Sequence, residues 1–113
     1  MGYGSGSGAP AMIASTVEVV TCPASGTTDV SIVSMTVGFN PNVITVPLNT
    51  MVKWFNIDSI EHTVTSTTVP LNGSFNAPVS PGTSVCLKFT AAGTFNYLCS
   101  IHPTTMIGSV IVQ

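Results

Sequence analysis

Four runs in this sequence, STVEVV, MVKWFNI, HTVTSTTV and SVCLKFT, alternate apolar and polar side chains for six to eight residues and then stop at turn-forming residues. A period of two puts one face of an extended chain into a core and the other into solvent, and it does not fit a helix of period 3.6. The alternating residues are mostly Val, Thr and Phe, whose branched or aromatic side chains suit a pleated surface. In SVCLKFT, Val85, Leu87 and Phe89 take one face while Cys86 and Lys88 take the other. Comparable runs occur in DVSIVSMTVGF, NVITV, GTFNYLC and GSVIVQ, although within the first of these the directions of Met35 and Val37 stay open. Pro47 ends NVITV, and the segment from Pro70 to Gly82, rich in Pro, Asn and Gly, reads as a loop. About seven or eight short strands without an amphipathic helix predict an all-β fold, a two-sheet sandwich or barrel.

A chain of 113 residues is one domain with a single core. Its charged residues are only Glu18, Asp29, Lys53, Asp58, Glu61 and Lys88, with a net charge of -2. No basic patch can neutralise a row of phosphates, which excludes nucleic acid as a partner. Mean hydropathy is +0.53, yet no run approaches the roughly 18 to 20 consecutive apolar residues of a membrane span. Residues 1–14, MGYGSGSGAPAMIA, read as a flexible Gly, Ser and Ala-rich tail, either a natural stalk or a cloning remnant, leaving residues 15–113 as the folded domain. The tail has no basic segment followed by an apolar one and is not a signal peptide. Both readings of the tail suit an extracytoplasmic protein: periplasmic, pseudoperiplasmic or on the cell surface.

The chain has two histidines and three cysteines, and NYLCSIHPTTMIG places one of each two residues apart, with Met106 following. Three thiols cannot all pair, and in an oxidising compartment the odd one is reactive or a metal ligand. Cys99 is the odd one because His102 lies beside it. Cys22 and Cys86 have no ligand-type neighbour and either bridge or remain two inert thiols. A soft thiolate and imidazoles on a loop between strands suit copper, and two His with one Cys in a trigonal plane plus a weak axial group is an electron-transfer arrangement. The second imidazole then comes from His62. A closed zinc site would need a fourth strong ligand from Glu61, Asp58 or a free cysteine. A Cys-His nucleophile would need an orienting third group and a substrate cleft, which this tight loop does not offer. A metal-free immunoglobulin-like adhesion domain would leave the His62 and Cys99 motifs without a purpose.

FNIDSIEHTVTS, from Phe55 to Ser66, resembles the first histidine motif of cupredoxins, where Asn, Asp and then His lie on the loop entering a strand. GTSVCLKFTAAGTFNYLCSIHP followed by MIGSVIV resembles the closing motif of the plastocyanin, amicyanin and halocyanin group, in which a Gly-Thr-Phe turn leads to Tyr-x-Cys-x-x-His and Met-x-Gly-x-Val-x-Val. The likeness covers roughly Val37 to Val112, and the composition looks like that of archaeal surface cupredoxins. It implies a Greek-key cupredoxin sandwich with one copper per chain. His62, Cys99 and His102 would be equatorial ligands, with Met106 in the axial thioether position and the Glu61 backbone carbonyl on the opposite axial side at longer range. It also implies a type 1 copper electron carrier cycling between Cu(I) and Cu(II), with redox partner proteins docking near His102.

One spacing departs from that family pattern. Three residues, PTT, separate His102 from Met106, where amicyanin- and halocyanin-like loops have two and plastocyanin-like loops four. Either the Met106 sulfur reaches the metal, or water, an oxygen donor or nothing stands in its place. By similarity to open-site cupredoxins of nitrifying microbes, the second case implies small ligands at copper, for example nitric oxide oxidised to nitrite with water supplying the oxygen.

Overall fold

The computed structural model describes residues 14–113, so the expected tail lies outside the described residues apart from Ala14. Ten strands follow one another: β1 (Val17–Val20), β2 (Thr28–Ser34), β3 (Gly38–Asn40), β4 (Val43–Val46), β5 (Met51–Asn56), β6 (His62–Ser66), β7 (Asn76–Val79), β8 (Ser84–Phe89), β9 (Gly93–Leu98) and β10 (Ile107–Val112). They form two five-stranded sheets, ordered β1-β8-β5-β2-β3 and β4-β10-β9-β6-β7. The expected all-β sandwich is present. No helix of the described residues is long and apolar enough to cross a membrane.

Two strands exceed the sequence expectation, and each has a local reason. DVSIVSMTVGF does not run straight: Val37 N–H donates to Ser34 Oγ, closing a turn at Met35–Val37 that divides β2 from β3. Met35 and Val37 both point into solvent on that turn. The segment from Pro70 to Gly82 is not loop throughout, because β7 pairs antiparallel with β6 inside it. Pro78 is tolerated there since β7 is an edge strand, and Ala77 and Val79 alternate into the core.

Facing alternate residues fill the space between the sheets. Val30, Ile32, Val52, Trp54, Leu87 and Phe89 come from the first sheet, and Val64, Phe95, Tyr97 and Val110 from the second. Trp54 meets Tyr97 edge-on at 5.4 Å, and its Nε1–H donates to the tyrosine hydroxyl at 3.2 Å. Burial pushes the Tyr97 phenol up to about 12 although that bond acts the other way, so it stays neutral and packs as a core residue. Gly108 lies opposite Tyr97 across β9 and β10, and a Cβ there would come within 2.5 Å of the tyrosine ring. Cys86 faces away from the core, as the alternation requires, but is fully buried because Cys22 covers it in a disulfide. Phe55, on the opposite face of β5 from Trp54, is 40% exposed.

Candidate metal centre

At one end of the second sheet, His62 opens β6 and Cys99 follows the last residue of β9. The two strands run antiparallel, with Thr65 opposite Leu98, so their ends bring His62 and Cys99 together although 37 residues separate them. Beyond that pairing, side chains replace the backbone ladder. Thr63 N–H donates to Cys99 Sγ at 3.3 Å, and Ser100 N–H donates to Thr63 Oγ1 at 2.8 Å. Thr63 thereby ties the two donor-bearing segments together.

The loop from Cys99 to Met106 closes on its own backbone. His102 N–H donates to the Cys99 carbonyl, Met106 N–H to the His102 carbonyl, and Cys99 N–H to the Met106 carbonyl. This turn absorbs the three-residue spacer, leaving Pro103, Thr104 and Thr105 in solvent while Met106 is fully buried in the same apolar cluster as Cys99. Glu61 exposes its side chain immediately before His62.

His62, Cys99 and His102 offer one donor atom each, all within 4.8 Å of one another. Cys99 Sγ lies 3.6 Å from His62 Nδ1 and 3.9 Å from His102 Nδ1. A metal bonded to sulfur at about 2.3 Å and to nitrogen at about 2.0 Å in a trigonal plane requires sulfur and nitrogen to stand about 3.7 Å apart. Both sulfur-to-nitrogen distances therefore match such an ion. His62 and Cys99 are fully buried, whereas His102 is half-buried.

The electrostatics prepare the thiolate. Burial pushes the Cys99 thiol up, but contacts from the Thr63 N–H, His62, His102 and the Ile101 N–H outweigh it and bring the thiol down to about 6. Burial likewise works against charge on His62, and its bonds to Asp58 and Cys99 reverse the sign, leaving it raised. Asp58 is lowered chiefly by its bond to His62 and then by the Ser59 N–H. Sequence reasoning gives Asp58 no role beside copper and misses Thr63 and Ser100. The position of Asp58 four residues before His62 is its one visible signal.

Comparisons with known proteins agree with this fold. Amicyanin-alpha of Methylorubrum extorquens is 29% identical over 105 residues, covering 91% of this chain and 86% of its own. Among solved structures, an oxidised amicyanin variant superposes with a TM-score of 0.76 at 23% identity, covering 87% of this chain and 99% of its own. A purple cupredoxin from Nitrosopumilus maritimus superposes with a TM-score of 0.65 at 27% identity, covering 76% and 99%. The cupredoxin-like domain family matches residues 8–112. Its members are copper electron-transfer proteins binding one copper ion per chain. Over nearly its whole length, then, the chain belongs to the cupredoxin-like domain family.

Proposed function

We propose that this protein is a type 1 copper electron carrier, with His62, Cys99 and His102 as the equatorial ligands. The observation that carries the reading is the His-Cys-His set, whose sulfur-to-nitrogen distances of 3.6 Å and 3.9 Å fit a trigonal site. Bound copper supplies a one-electron Cu(I)/Cu(II) couple. The chain's part is to hold the donors still: strand ends fix His62 and Cys99, and the Thr63 clamp keeps their segments from separating.

His102 is the route to a partner. Its ring is half-buried, and its neighbours Ile101 and Pro103 are exposed, giving an uncharged rim suited to brief, salt-insensitive encounters with redox proteins. Burial of Met106 beside Cys99 supports it as the axial group, with the Glu61 carbonyl opposite. The Cys22–Cys86 disulfide supports an extracytoplasmic location for the domain, residues 15–113. The structural likeness to a cupredoxin from Nitrosopumilus supports kinship with archaeal cupredoxins, beside the plastocyanin and halocyanin motifs of the sequence.

The visible spectrum of the copper-loaded protein tests the reading. A strong thiolate-to-copper absorption, lost in Cys99→Ser, is expected; colour and copper binding that survive that substitution would refute it. The three-residue spacer PTT favours one second reading, an open axial position admitting small molecules such as nitric oxide. It expects azide or nitric oxide to shift the spectrum and nitrite to accumulate, whereas the carrier expects neither.

A further inference from the structure

We infer that Asp58 is the positioning residue of the copper couple: its carboxylate, locked in place by Asn56, fixes the proton of His62 on Nε2 and makes Nδ1 the stronger donor. The inference rests on the copper reading above. Asp58 Oδ2 lies 2.8 Å from His62 Nε2, within hydrogen-bond distance. The other carboxylate oxygen accepts the Ser59 N–H at 2.8 Å, so the group cannot swing away freely. The Asp58 N–H in turn donates to Asn56 Oδ1 at 2.9 Å.

Asn56 is the anchor of this chain of bonds. It is fully buried, and its Nδ2 donates to the carbonyls of Ile60 and Val79, both at 2.9 Å. One buried amide therefore grips the start and end of the loop and the neighbouring strand β7, and the carboxylate it presents meets the ring from behind. With Nε2–H given to Asp58, the lone pair of Nδ1 faces Cys99 Sγ, where the metal belongs. An ionised acceptor pulls the Nε2 proton harder than a neutral carbonyl does and enriches Nδ1. The His62 ring is 0% exposed while the Asp58 side chain is 20% exposed, so water screens that effect only from the outer side of the carboxylate. A richer imidazole favours Cu(II) over Cu(I), so Asp58 lowers the reduction potential.

Asp58→Asn keeps the shape and an acceptor oxygen while removing the charge. Its copper-loaded form should fold as the parent does and lose about tenfold in Cu(II) affinity relative to Cu(I), a rise of about 59 mV in potential. Nitrogen-15 spectra of the metal-free proteins at alkaline pH supply a second readout: the His62 proton should sit on Nε2 in the parent and redistribute in Asp58→Ala. Equal potentials in parent and Asp58→Asn, or a parent with its His62 proton on Nδ1, would overturn the inference. A parent that takes up no copper would instead overturn the function proposed above, and the nitrogen spectra would still decide where the proton lies.

Discussion

The two loops that bring donors to the site are held by opposite means. Residues 57–61, between β5 and β6, are fastened by side chains: Asn56 grips Ile60, Val79 and Asp58, and Asp58 grips Ser59 and His62. Residues 99–106, between β9 and β10, are fastened by backbone bonds among Cys99, His102 and Met106. A loop held by side chains depends on the identity of its residues, and one held by backbone depends on its turn. The first should therefore be intolerant of substitution at its anchors, while the exposed PTT of the second accepts change.

The sharpest test lies where the loops meet, at the Cys99 thiol. Its folded value near 6 against an ordinary 9.0 means that the metal-free fold gains from the thiolate fully above about pH 9, loses that gain as pH falls, and has none below about 6. Over that window the stability difference between the metal-free parent and Cys99→Ala should change by roughly 4 kcal/mol, as read by urea unfolding at each pH. A flat difference would show that the two loops do not jointly hold the thiolate. His62 works in the opposite direction: its raised value contributes below its ordinary 6.5 and fades as pH climbs.

Next comes Asn56→Ala, which leaves the Ile60 and Val79 carbonyls and the Asp58 N–H without their partner. We expect a loss of about 3 kcal/mol in denaturant unfolding, at about 1 kcal/mol per bond. A loss below about 1 kcal/mol would mean that backbone alone holds this loop too. Thr63→Val conserves shape but strands the Ser100 N–H, and it should cost about 1 to 2 kcal/mol and shift the thiolate absorption of the copper form. An unshifted spectrum would remove Thr63 from the clamp. Thr104→Gly is the smallest change: its exposed position predicts an effect within about 0.5 kcal/mol, and a larger loss in thermal unfolding would show that the spacer itself helps to hold the loop.

Much of the strand pattern is legible in the residues alone. Period-two alternation locates eight of the ten strands, because burial of one sheet face writes itself directly into neighbouring residues. It misses β3, since a turn sealed by Ser34 looks like continued alternation, and β7, since Pro78 argues for a loop until its edge position is known. Cys99 and His102 are visible as a pair because they share one loop, and His62 because no other histidine remains to join them.

The linear chain thus specifies the strands and the scarce donors, features encoded over a few residues or by simple rarity. Tertiary structure alone decides that Asn56 spans from Ile60 to Val79, that Thr63 clamps Ser100, that Cys22 covers Cys86, and that Met106 turns inward behind the spacer. Those contacts join residues from different strands or depend on how a loop closes. Their existence follows from which strands pair, and sheet pairing is set by the packing of the whole core rather than by any local run of side chains.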